Sequence, residues 1–199
     1  LKFILTMANK IKFSDKELML KFQNGDELAY NELVNRYKNK LLNFIYRYFG
    51  SKDDAEDILQ ETFIKLYYKK DYYKPISEFS TWIYTIAANL SKTELRKRKR
   101  RKTSQLSEMG VENKEFDIRY EDDTDTEINT EYNEHEINKA IQDLETPFRT
   151  AFILRDIQEL SYEEISKITE VPLGTIKSRI NRARIQLQGK LKEIYKNRS

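Results

Sequence analysis

The chain predicts an all-α fold: two small helical domains joined by a flexible acidic linker. Three observations carry that expectation. Apolar residues recur at intervals of three and four through most of the length, the spacing of one helix face. Five Gly and three Pro in 199 residues leave few of the breaks that strands and tight turns need. Charge is also segregated. Residues 103–139 hold twelve Asp or Glu and three Lys or Arg, a net of −9, so the remainder carries +12 of the overall +3.

The first domain is expected over residues 14–102, after an N-terminal tail at 1–13. Gly25-Asp26 marks a turn and a helix start. Leu28, Leu33 and Val34 lead from there into Tyr37, Leu41, Leu42, Ile45 and Tyr46. Gly50-Ser51 closes this helix, and Ser51 with Asp54 forms a capping box for the next, which runs through Ala55, Ile58, Leu59, Thr62, Ile64 and Leu66. A polar, aromatic loop follows at 69–78 with Pro75 as breaker. The last helix spans about Phe79 to Arg100 and ends in seven consecutive cations, Arg96 to Lys102.

Residues 103–135 are acidic, poor in apolar side chains and without sustained periodicity, the composition of a flexible tether. The second domain is expected at 136–195, leaving a short tail at 196–199. It holds a helix through Ile137, Ile141 and Leu144, another from Pro147 through Leu154, and then a helix-turn-helix pair.

That pair is the most informative stretch. Ser161 before Tyr162-Glu163-Glu164 is an N-cap with acidic residues in the first turn, where the helix dipole favours them. Ile165 and Ile168 supply an apolar stripe. Pro172 stops this helix, and Gly174-Thr175 opens the next. On the second helix Ile176, Ile180, Ala183 and Leu187 share the inward side, which turns Ser178, Asn181, Arg182 and Ile185 outward and leaves Lys177, Arg179 and Arg184 on the flanks. From Val171 to Lys192 there are six Lys or Arg and no Asp or Glu. A polyanion is the simplest partner, with outward residues meeting base edges and flanking cations meeting phosphates.

Two other segments carry chemistry. Asp53-Asp54-Ala55-Glu56-Asp57 and Gln60-Glu61 concentrate carboxylates on one helix, with Asp57 and Glu61 on one face. A divalent-metal site, a solvated acidic face and a protein-binding face all fit this pattern. The aromatic and basic loop (Lys69, Lys70, Tyr72, Tyr73, Lys74) runs into Phe79, Trp82, Ile83 and Ile86. Part of that set is core. The interleaving of rings with cations also suits an open nucleic-acid strand, whose bases stack and whose phosphates pair with Lys or Arg.

Other classes are excluded by composition. Without Cys there is no disulfide framework or thiolate zinc site, and the single His135, in an acidic stretch, cannot build a histidine metal centre or a catalytic triad. No cofactor is implied. No apolar run approaches the roughly 20 residues of a membrane span, and Leu1 to Met7 is too short and poorly flanked for a secretion signal. Leu1 fits a non-standard start codon, with Met7 as the alternative start. A cytoplasmic protein is expected.

Gly25 to Tyr30, Asp54 to Phe63, Phe79 to Tyr84, Leu144 to Arg155 and the helix-turn-helix, in that order and spacing, resemble the extracytoplasmic-function group of bacterial RNA polymerase sigma factors from about Leu18 to Leu191. The resemblance implies a region 2-like bundle followed by a region 4-like helix-turn-helix domain. Asp57, Gln60 and Glu61 match the helix that, in the family, grips the clamp helices of the polymerase largest subunit. The loop from Tyr73 to Phe79, including Lys74, together with Trp82 and Asn89, matches recognition of the melted −10 strand. Lys177, Ser178, Asn181 and Arg182, flanked by Arg179 and Arg184, match the positions that read the −35 duplex.

The implied partners are core RNA polymerase, through its clamp helices and flap, promoter DNA as −35 duplex and −10 single strand, and an anti-sigma factor. The implied role is promoter selection and melting in transcription initiation, without catalysis. Two departures bear on promoter choice: Tyr73-Lys74-Pro75 stands where many relatives carry a Phe-Arg-Gly-like turn, and Asn181 where they often have a larger side chain. The rival readings are a stand-alone helix-turn-helix regulator and a metal-dependent nucleic-acid enzyme using the acidic helix.

Overall fold

The structure, a computed structural model, describes residues 13–108 and 130–196. Residues 1–12, 109–129 and 197–199 lie outside the described residues, and with them most of the predicted N-terminal tail, linker and C-terminal tail. The described residues form eight α-helices and no strand.

Helix α1 (Asp15–Gln23) opens on Ser14 with a complete capping box: the Ser14 hydroxyl accepts from Glu17 N at 3.3 Å, and the Glu17 carboxylate accepts from Ser14 N at 2.7 Å. It buries Leu18, Met19 and Phe22. The Asp26 side chain then accepts from the backbone N–H groups of Leu28 and Ala29 and starts α2 (Glu27–Phe49). Leu33, Tyr37, Leu41, Phe44, Ile45 and Tyr48 form its inward stripe. Leu28, expected on that stripe, is 79% exposed while its neighbour Ala29 is buried, because at roughly 100° per residue Leu28 points well away from the face of Leu33. Gly50 ends the helix in the left-handed region at φ 75°, which favours glycine.

Helix α3 (Lys52–Tyr68) is capped by Ser51, whose hydroxyl accepts from Asp54 N at 3.3 Å. The predicted capping box is only half formed. The Asp54 carboxylate turns away to Arg98, where two charge-assisted hydrogen bonds outweigh one neutral backbone donor. Ile64 is 53% exposed, on the opposite side of α3 from buried Thr62 and Leu66. After a 3-10 turn at Lys70–Tyr72 comes α4 (Phe79–Glu108). It continues past the predicted end near Arg100, since no Gly or Pro interrupts the chain before Gly110. Ion pairs of Glu94 with Lys97 and Arg98 support its exposed half.

In the second domain α5 spans Thr130–Gln142 and α6 spans Thr146–Phe152, with Pro147 in its first turn. The continuous helix expected through Leu154 instead widens into a π turn at Ile153–Ile157. Gln158 N donates to Ile153 O at 3.0 Å, a five-residue step. That widening tips Arg155 to donate to Leu160 O at 2.8 Å and sets the approach to α7 (Tyr162–Thr169). Helix α8 (Leu173–Lys196) completes the fold.

The two halves pack together: α7 lies on α4, and α5 and the π turn lie on α2. Among the described residues no helix is long and apolar enough to cross a membrane.

Candidate nucleic-acid interface

The helix-turn-helix is held from both ends. Ser161 and Glu164 form a reciprocal capping box at 2.8 and 3.2 Å. At the other end Glu170 enters the left-handed region at φ 57°, and the Ser166 hydroxyl donates to Val171 O at 2.6 Å. These contacts fix the angle between α7 and α8. Ile165, Ile168, Ile176, Ile180, Ala183 and Leu187 are buried between them and α6, as the spacing predicts.

The opposite face of α8 is open. Lys177, Ser178, Asn181, Arg182 and Arg184 are exposed and Arg179 is half-buried. Ile185, at 60% exposure, extends that face. The two flanking cations differ in state. Lys177 lies 5.9 Å from the Tyr162 ring. Arg184 donates to Asp156 at 2.5 and 3.2 Å, which raises its pKa through that hydrogen bond. An acidic residue from the π turn thus already occupies one of the expected phosphate contacts, a pairing that sequence spacing could not reveal across 28 positions.

On α3, Asp57, Gln60 and Glu61 are exposed on one face. Glu61 pairs with Lys65 at 3.1 Å along the same helix. Among the described residues no three His, Cys, Asp or Glu side chains come together as a metal-holding group. Asp54 belongs to the interior side: the Arg98 guanidinium bonded to it holds its carboxyl below the usual range.

The aromatic loop departs from the expectation of an open stacking platform. Tyr73 and Phe79 are buried at 3% and 1% exposure, and Trp82 is half-buried. Their rings form one cluster, Tyr73–Trp82 at 5.4 Å and Tyr37–Phe79 at 5.1 Å between centroids. Gln23 donates to the carbonyls of Lys70 and Tyr73 at 2.7 and 3.0 Å, and the Tyr73 hydroxyl donates to Ser77 O at 3.0 Å. The buried rings therefore hold the loop's shape, because a bundle this small needs them as core. What the loop presents outward is Lys74, Tyr72 at 77% and Ile76 at 88% exposure. Ile76 was not singled out by sequence; its signal is an apolar residue after Pro75 with no helical partner.

Asn89 is exposed and lines a cavity of ≈ 300 Å³ between α3 and α4, with Glu61, Lys65, Lys69, Thr93 and Lys97 around it. Tertiary packing thus brings Asn89 next to Glu61, two positions that sequence assigned to different partners.

The comparisons with known proteins agree in direction. Residues 33–101 match the family described as Sigma-70 region 2, and residues 134–187 match Sigma-70, region 4. The ECF RNA polymerase sigma-E factor of Haemophilus influenzae is 34% identical over 187 residues, covering 92% of this chain and 98% of its own length. The RNA polymerase sigma-H factor of Pseudomonas aeruginosa is 35% identical over 187 residues, covering 92% and 96%. Among solved structures, the sigma factor RpoE of Bartonella quintana, in complex with the anti-sigma factor NepR, is similar with a TM-score of 0.65 and 29% identity over 82% of this chain and 96% of that one. Two region matches in one chain, with relatives aligned over nearly all of it, favour the sigma-factor reading over a stand-alone regulator. The chain belongs to the extracytoplasmic-function group of RNA polymerase sigma factors.

Proposed function

We propose that this chain directs core RNA polymerase to a specific set of promoters, helps melt them in transcription initiation and is then released. It is not an enzyme; polymerisation belongs to the core. The observation that carries this reading is the coexistence of two unlike faces. The exposed side of α8 is cationic and free of acid from Val171 to Lys192, as duplex phosphates and base edges require. The exposed carboxylates of Asp57 and Glu61 on α3 repel DNA and, with Gln60 beside them, suit a basic protein surface.

In this reading Lys177 and Arg179 meet −35 phosphates, while Ser178, Asn181 and Arg182 read base edges. Arg184 joins them once Asp156 releases it. The α3 face docks on the polymerase clamp helices. Lys74 and Asn89 contact the −10 strand, and Tyr73, Phe79 and Trp82 hold the loop for it. The cellular site of action is the cytoplasm, where the polymerase works, and an anti-sigma factor is the expected regulator.

Run-off transcription tests the proposal. Core polymerase plus this protein should initiate at a defined set of starts that core alone does not use. Failure to bind core, or starts indistinguishable from core alone, would sink it.

A further inference from the structure

Gln23, the last residue of α1, is half-buried and lies against the base of the aromatic loop. Its amide nitrogen donates to two loop carbonyls at once, Lys70 O at 2.7 Å and Tyr73 O at 3.0 Å. Lys70 opens the 3-10 turn and Tyr73 follows it, with Tyr73 N donating to Lys70 O at 3.1 Å. The turn is also tied to α1 from its own side. Lys70 Nζ donates to Phe22 O at 3.2 Å and stands 4.9 Å from the centre of the Phe22 ring. A cation that the sequence offers to phosphate is therefore spent inward. Gly25, in the left-handed region at φ 96°, turns the chain away directly after α1. Its N–H donates to the same Phe22 carbonyl at 3.0 Å.

The pinning carries outward to the tip of the loop. The Tyr73 ring is buried, and its hydroxyl donates to Ser77 O at 3.0 Å. Ser77 N in turn donates to Lys74 O at 3.4 Å, closing the turn that holds Lys74 and Ile76 outward. Gln23, 47 and 50 positions away from its two acceptors, thus fixes the near end of this turn, and the Tyr73 hydroxyl fixes the far end. Both N–H groups of the Gln23 amide are used on the loop, so neither is left for a nucleotide.

We propose that Gln23 is a positioning residue for strand reading: without touching DNA, it sets how sharply the loop discriminates among bases of the opened strand. This inference deepens the promoter reading above and rests on it. Discrimination needs the contacting groups held to within about 0.5 Å, because a wrong base is rejected only by a surface that does not move to accept it. A loop pinned at two backbone carbonyls keeps its path whichever base arrives. A loop released at its base adjusts to the wrong base, and the difference between right and wrong shrinks.

The competing role is plain stabilisation of the first domain, and one ratio separates the two. A contact that only stabilises changes the share of folded protein and so scales the use of every base alike. A positioning contact changes the preference among bases.

Run-off transcription by core polymerase with the full chain gives that preference, on a mapped promoter and on templates that each change one base of its −10 element. Gln23→Glu keeps the side-chain length but turns acceptor oxygens toward the two carbonyls. At temperatures where circular dichroism shows it folded, it should lower the preference for the parent base several-fold at one or more −10 positions. Gln23→Lys returns donors to the same carbonyls and should restore the preference. The charge each variant adds acts on all templates alike and leaves the ratio untouched. Lys70→Met, which cuts the reciprocal tie to Phe22 O, supplies the same readout should Gln23→Glu fail to fold. A preference unchanged in Gln23→Glu, or lowered equally in Gln23→Glu and Gln23→Lys, overturns the inference and leaves the promoter reading standing. A parent protein that yields no promoter-dependent product overturns both.

Discussion

Asp54 and Arg98 tie the first turn of α3 to the middle of α4 through a two-pronged bridge, Nη1 to Oδ2 at 2.7 Å and Nη2 to Oδ1 at 2.6 Å. Arg98 also lies over the Phe49 ring at 4.9 Å. One of the seven consecutive cations is therefore an internal brace between the helix proposed to bind polymerase and the helix proposed to bind the −10 strand.

That brace gives a pH signature. The hydrogen bonds from Arg98 lower the Asp54 pKa from its ordinary value of 3.8. A folded-state value below the unfolded one stabilises the fold above the unfolded pKa, and the gain is lost as pH falls through the folded value. Asp54→Asn should cost about 1 kcal/mol near neutral pH. The gap in thermal stability from the parent should stay flat down to about pH 5 and close below about pH 4. A gap that stays undiminished as pH falls through the folded value would mean the loss is steric.

The two flanking cations of α8 should behave differently. Lys177→Ala should weaken duplex binding for all sequences and reduce the salt slope by about 0.9. Arg184→Ala should do less, because Asp156 already neutralises that side chain. Asp156→Asn should tighten binding and steepen the slope. Equal losses for Lys177→Ala and Arg184→Ala in a fluorescence anisotropy titration would contradict the role given to Asp156.

Arg182 is exposed at the centre of the outward face. Arg182→Ala should cost on the order of 1–3 kcal/mol at one base pair, as for a bidentate contact with guanine, and relax preference there only. Affinities measured across a set of single-base variants of the site would show it.

The aromatic loop separates shape from contact. Phe79→Ala should lower stability by about 3–5 kcal/mol, because the ring is fully buried. Lys74→Ala with Tyr72→Ala should leave the melting temperature within about 1 °C and weaken single-strand binding by up to tenfold, about 1.4 kcal/mol. Loss of strand binding by Phe79→Ala in still-folded protein, with none from the exposed pair, would reverse the assignment.

On the polymerase side, Asp57→Ala with Gln60→Ala removes two exposed groups of α3. Core binding should fall at least tenfold with helix content and melting unchanged, as expected for surface changes. Undiminished co-purification with core would remove this face from the interface.

Local chemistry by itself determined the all-α class, the caps at Asp26, Ser51 and Ser161, the glycine stop at Gly50, and which side of α8 faces outward. Each follows from hydrogen bonds or periodicity within a few residues, so neighbouring positions suffice to read it. The tertiary structure alone decided four other matters. Tyr73 and Phe79 went inward because a small bundle needs their area as core. Asp54 left its cap for Arg98, and Asp156 found Arg184, through contacts 44 and 28 positions apart. The packing of the two halves brings Tyr48 to Thr150 and Tyr84 to Gln158, 102 and 74 positions apart. Pairings of that range are set by how whole helices pack, and no spacing rule along the chain encodes them.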